Sequence, residues 1–398
     1  MLHIHTFDAR AGGNVIYKAL SHPLAAEGIA RLYAKLDAIG GPVALYDPDG
    51  IAEALFALYP LRVRALYVHD VLAVGHTRAG MVARSLTELA EADAASVLIA
   101  AFDAARTAER IAEFVPRGAA VFTLDEARLP ASLLSNPARC LNRLNYATNF
   151  VFFRDRDGLS TRLVSANYWA GYGARNVRLW LRLFDADGTV LATWEESVPE
   201  GPGGFAIDSQ TVRARFGLRP FVGQLFVHVV GATGHDVVKY ALDTYDSAGG
   251  PSLSCTHDAN AWPSDRYAGL PAPREDERVV LWLQNSHAAP IPAGAVSLDR
   301  MGAEAPVTLD RAVGPFATVA LDVGAMLPLV RWPAQVEVRA GRHVVRPRYE
   351  VTRAGRTRIA HVNVERADLR PDAAIPGLPA QLGRGYLLPF PVLDPAVF

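Results

Sequence analysis

Cysteine, lysine, net charge and long apolar runs are all scarce in this 398-residue chain. Two thiols, Cys140 and Cys255, are too few for a disulfide framework at this size, so a reducing cytoplasm is the expected setting. A formal charge of -1 offers no general field to nucleic acid or an anionic membrane, and neither is expected as a partner. No apolar run approaches the roughly 20 residues that a bilayer crossing needs. The opening "MLHIHTFDAR" lacks a basic segment followed by an apolar stretch and a small-residue cleavage site, so no secretion signal is expected. Lysine stands only at Lys18, Lys35 and Lys239 against abundant arginine and alanine, a bias expected of a GC-rich bacterial gene. Paired CxxC and HExxH spacings are absent, which removes the specific zinc signatures.

What is present divides the chain. Within a head at residues 1–144, short apolar runs alternate with helical patterns from Val43 to about Leu129: "VALYD", "GIAEALFALY", "ALYVHD", "SLTELAEAD", "SVLIAAF", "DAARTAERIAEFV" and "AAVFTL". Runs this short suit strands buried on both faces, and alternation with helices implies a parallel sheet with right-handed crossovers. An opening strand and a helix pair broken near Pro23 are expected to precede it. A strand and turn, a second strand ending in an acid and then "DAASVLIAAF" resemble the small Rossmann-like domains of bacterial sugar-nucleotide-modifying enzymes, over about a quarter of the chain. That resemblance implies a nucleotide crevice at the carboxyl ends of the strands, where Asp47, His69, Asp70, Asp103 and Asp125 fall. The turn itself is "DPDG", with carboxylates and a proline where a phosphate cradle needs flexible amides. Asp70 keeps the spacing of a ribose-binding acid. The expectation is a degenerate head, with a working nucleotide site through Asp47 and Asp70 as the alternative. Asp103 and Asp125 read as N-caps of the helices that follow them. "DARAGGN" is a second, weaker anion candidate.

After residue 145 the grammar is β. Asp157-Gly158 and Asp187-Gly188 sit between strand-like runs and predict hairpins. Val177, Leu179, Leu181 and Leu183 alternate with Arg178 and Arg182, as on a half-buried strand. A β-sandwich over residues 145–250 follows, then a polar and aromatic connecting segment at 251–276 and a second sandwich at 277–366. The second repeats the first: "TRLVSANYW" answers "VVLWLQNSH" with Asn167 matching Asn285, "GGFAI" answers "GPFAT", and "GQLFVHVVGATGHDVVKY" answers "AQVEVRAGRHVVRPRY". Such order points to duplication of one unit. The tail at 367–398 is rich in proline and glycine yet too apolar for solvent, so it is expected against a domain surface or a partner.

Chemistry-bearing residues concentrate in "LSCTHDANAWPSDRYAG". Cys255 with His257, Asp258 and His235 offers a thiol nucleophile with a base. Cys255 and His257 share a face of an extended segment and Asp258 turns away, which counts against a triad within the segment. The same two residues joined by His228 or His235 offer a zinc site. In the competing structural reading Asp258, Asn260 and Asp265 satisfy backbone groups while Trp262 and Tyr267 plug the module interface. His3 and His5 share one strand face, and arginines at 342, 346, 348, 353, 356 and 358 form either an anion site or a protected edge. The expectation is an α/β Rossmann-like head followed by two all-β sandwich modules, acting as a non-catalytic ligand-binding or assembly protein whose partner is a small molecule or a protein, a homo-oligomer included. The alternative is a thiol- or zinc-dependent hydrolase or sugar-modifying enzyme.

Overall fold

A computed structural model describes residues 13–259, 266–340 and 347–361. Helix α1 (Gly13–Ser21) runs into α2 (Pro23–Ile39) across His22, whose ring accepts the Leu24 N–H while Pro23 fills the first helical position. The break expected near Pro23 is therefore a cap between two helices.

Next come β1 (Val43–Tyr46), α3 (Ala52–Leu58), β2 (Ala65–Val68), a short β3 (Thr77–Arg78), β4 (Met81–Ser85), β5 (Ser96–Ile99), α4 (Ala105–Ile111) and β6 (Ala120–Thr123). They form one sheet in the order β3-β4-β2-β1-β5-β6, parallel except for β3. The chain leaves β1 toward β2 and later returns to the other side of β1 as β5, so the order reverses between those two strands. Both faces are covered. Val43 and Leu45 pack with α2 residues Leu32 and Leu36, whereas Ala44 and Tyr46 face Ile111 of α4.

Two antiparallel modules follow. The first holds β7 (Ala147–Arg156), β8 (Leu159–Ala166), β9 (Arg178–Asp185), β10 (Val190–Ser197), β11 (Gly204–Asp208), α5 (Ser209–Phe216), β12 (Phe221–Val230), β13 (Lys239–Asp246) and β14 (Leu253–Ala259). Asp157 and Gly158 both have positive φ, 55° and 75°, in a two-residue type I′ loop between β7 and β8. Those two strands pair only beside that turn. They then separate into two layers, β10-β9-β12-β7 and β11-β8-β13-β14. Leu179, Leu181 and Leu183 meet Leu163 and Leu242 between them, with Arg178 and Arg182 on the opposite face of β9, as the alternation requires.

The second module runs β15 (Arg266–Pro271), β16 (Glu277–Gln284), β17 (Ser297–Arg300), β18 (Val307–Thr308), β19 (Thr318–Asp322), α6 (Val323–Met326), β20 (Gln335–Arg339), β21 (Arg348–Arg353) and β22 (Arg356–His361). Its layers are β18-β17-β20-β15 and β19-β16-β21-β22. Each strand stands where its counterpart eight places earlier stands, so the two modules share one connectivity. Asp208 and Asp322 both cap the short helix that follows the fifth strand. These caps shift one sequence match. "GFAID" (204–208) corresponds to "TVALD" (318–322), three residues on from the expected "GPFAT".

The segment expected to connect the modules is mostly strand: its first half is β14, an edge of the first module, and its second half is β15 of the other. His3, His5, Gly12, Asn260, Trp262, Asp265, Arg342, Arg346 and the tail lie outside the described residues.

Candidate ligand groove at the module junction

The crevice at the end of β1 is filled by the protein itself. Asp47 is buried, and its Oδ1 and Oδ2 accept the Ile51 and Ala52 N–H groups at 2.8 and 3.3 Å. The first amides of α3, where a phosphate would sit in a working nucleotide crevice, thus already hold an anion. Burial raises the Asp47 pKa, against the lowering effect of those two amides. Asp70 is exposed, and its side chain accepts the local Leu72 N–H. Asp103 and Asp125 do not cap the helices that follow them. Asp125 reaches back to the Asp103 and Ala104 amides ahead of α4, while Asp103 binds Arg128 and the Cys140 N–H.

The proposed thiol and zinc residues do not converge. Cys255 and His257 share the exposed face of β14, and Asp258 turns inward to the buried Arg348 and Tyr240. Burial and the neighbouring Asp243 push the Cys255 thiol above its ordinary pKa, away from a thiolate. His228 is fully buried on β12, which β7, β8 and β13 separate from β14. His235 stacks on Tyr168 with centroids 5.2 Å apart in the loop after β12. Among the described residues no three His, Cys, Asp or Glu side chains form a metal-holding group. Tyr267 is fully buried in the second module's core.

What the fold does bring together is a groove where all three modules meet, with a volume of about 830 Å³. Helix α2 supplies Pro23, Ala26, Glu27, Ile29, Ala30 and Tyr33, and Tyr59 and Pro60 follow from the end of α3. Arg182, Phe184, Gly188 and Val190 come from the β9–β10 hairpin; Ala288, Pro290, Pro292, Pro315 and Phe316 come from the second module. Tyr33 donates to the Tyr59 carbonyl and Tyr59 to the Leu20 carbonyl, which stiffens the helical wall. Phe184 and Phe316 stack at 4.7 Å across the two sandwiches. Among the described residues the charged lining is one ion pair, Glu27 to Arg182 at 2.5 Å, with the Glu27 side chain 52% exposed and Arg182 only 11%. Arg182 also lies over the Trp180 ring.

Phe184 and Phe316 continue from the groove into a buried apolar cluster with Trp180 and Phe226 that seals the junction. Within it His22 Nε2 and His228 Nδ1 lie 2.9 Å apart, both rings fully buried. Gln224 donates from β12 to the carbonyls of Asn285 and Phe316. Of the side chains that meet here, His22, Trp180, Gln224, Phe226 and Phe316 were not singled out by the sequence, whereas His228 was. Trp180, Gln224 and Phe226 are single polar or aromatic positions on strands and His22 and Phe316 sit in connections, so only the fold reveals what covers them.

No family model and no curated protein matches the chain. Among solved structures, an anti-sigma factor domain-containing protein is 11% identical over 53% of this chain and 80% of its own, with a TM-score of 0.14. An exo-chitosanase of Amycolatopsis orientalis is 12% identical over 53% of this chain and 26% of its own, with a TM-score of 0.13. Scores this low leave the three-module arrangement to be understood from its own geometry.

Proposed function

We propose that the chain is a non-catalytic binding protein that seats a mostly apolar small molecule bearing one anionic group in the groove at the module junction. The head is read as Rossmann-like with its phosphate cradle occupied by Asp47, which leaves it a structural role as one wall of the groove. One observation carries the proposal: a cleft within the size range of ligand sites, walled by all three modules, is apolar except for a single ion pair. Arg182 is the one cation among the described residues of that lining. Its partner Glu27 is half exposed and can swing into solvent at little cost, so a ligand anion replaces it on the guanidinium.

Anilinonaphthalene sulfonate, two aromatic units with one sulfonate, serves as the probe. Ala30→Trp fills the groove from an exposed helical position and is expected to weaken dye binding at least tenfold while the melting temperature stays within about 2 °C. Dye affinity that ignores Ala30→Trp overturns the groove assignment.

A further inference from the structure

The groove's helical wall is tied to the first sandwich through two buried imidazoles, and their hydrogen bonds fix where every proton lies. His22 Nδ1 accepts the Leu24 N–H at 3.1 Å, so the ring's own proton is on Nε2. That N–H donates to His228 Nδ1 at 2.9 Å, which places the His228 proton on its Nε2. Among the described residues His228 Nε2 meets no partner at full hydrogen-bond geometry, and the Leu133 backbone is the polar group acting on that ring.

A further proton has no place to go without breaking a bond. On His22 Nδ1 it displaces the Leu24 N–H and uncaps α2. On His228 Nδ1 it faces the His22 Nε2–H, donor against donor. If His22 changes tautomer to accept at Nε2, the Leu24 amide is lost again. The surroundings also oppose a positive charge. Trp180 and Phe226 enclose His22, with centroids at 5.4 and 4.8 Å. The charged groups facing the pair are Arg178 and Arg182 on β9, whose carboxylate partners Glu195 and Glu27 are turned to them. Burial first, then these neighbours, holds both rings well below the ordinary histidine value, His228 down to about 3, with the Leu133 backbone working the other way on His228.

We infer that the His22–His228 contact is a proton-sensitive latch that holds α2 against the first sandwich at neutral pH and loosens it, with the groove's grip on its ligand, in mild acid. The ligand half of this inference rests on the groove reading above. Once detached, the two histidines take their ordinary pKa of about 6.5, so at pH 5.5 the open form gains roughly tenfold in weight per histidine.

Hydrogen exchange of the α2 amides in the full chain, corrected for the intrinsic pH dependence, measures the opening constant. Between pH 7.5 and 5.5 it is expected to rise between tenfold and a hundredfold. His22→Asn keeps a capping acceptor but cannot be protonated, and is expected to remove about tenfold of that rise. Adding His228→Leu flattens the response. His287, 3.3 Å from the Tyr17 hydroxyl beside the groove, is present in every variant, so whatever it contributes cancels in the comparison. An opening constant equal at the two pH values, or a response unaltered by His22→Asn, overturns the latch. Should the variants fail to fold, the wild-type imidazole proton resonances decide: the latch requires both rings to stay neutral in the closed form at pH 5.5. Dye binding separates the two readings. If α2 opens in acid but dye binding ignores Ala30→Trp, the latch stands and the groove reading falls. If the dye stays bound while α2 opens, the coupling to ligand is overturned.

Discussion

A carboxylate bound to the first amides of a helix acts as a resident anion, and Asp47 holds that post in the head. Because burial raises its pKa, the folded protein prefers the protonated acid more than the unfolded chain does. Stability from this residue therefore falls as pH rises from the ordinary aspartate value through the folded one. Asp47→Asn keeps an acceptor and sheds the desolvated charge. It is expected to leave the unfolding free energy at pH 7 unchanged or raised by up to about 1 kcal/mol, whereas Asp47→Ala loses about 1–2 kcal/mol. Denaturant titration of both variants checks this; equal losses would show that the charge itself is needed. The residues "DPDG" already spoke against phosphate, but only the fold shows that Asp47 itself accepts the amides at the start of α3. Alternation likewise placed Cys255 and His257 on one face and Asp258 on the other, since period two is local. The inward partner Arg348, 90 residues away, is not.

Two Asp-Gly turns of similar sequence do different jobs at the level of elements. At Gly158 a Cβ would meet nothing within 4 Å, so Gly158→Ala is expected to cost only the strain of its positive φ, about 1–2 kcal/mol. At Gly188, φ 83°, a Cβ would sit 1.9 Å from the Pro315 carbonyl oxygen, so the hairpin tip is pressed onto the second sandwich. Gly188→Ala is expected to cost about 3 kcal/mol or more in denaturant unfolding, because the neighbouring backbone must move as well. Similar costs for the two would mean the contact is slack. The turns and the alternating strands were legible because hairpin chemistry is local. The register of the repeat was not: resemblance between "GGFAI" and "GPFAT" suggested one alignment, while the helix caps at Asp208 and Asp322 set another three residues on.

For the whole molecule, the sandwiches are joined by charge as well as by packing. Arg154 of β7 meets Glu350 of β21 at 2.7 Å with both side chains nearly inaccessible, and Trp282 Nε1 donates to the same carboxylate. Removing one buried partner strands the other, so Arg154→Met is expected to cost about 3–5 kcal/mol. Arg154→Met with Glu350→Gln removes both charges, keeps an acceptor for Trp282, and is expected to recover most of that loss in the same unfolding measurement. A double variant as unstable as the single would place the cost in packing instead. Nothing in sequence order announces such contacts: His22 and His228 lie 206 positions apart, and the groove draws on all three modules.

Shared connectivity between the sandwiches has a consequence for how the chain reaches its native form. Every strand of one unit has a topological twin in the other, so each edge has two candidate neighbours on the same polypeptide. Emergence from the ribosome settles the ambiguity by time, since the earlier unit can close before its twin exists. A denatured chain released all at once has no such timetable. The sparse identity between the two units then does the sorting, by making the wrong neighbour a poor fit.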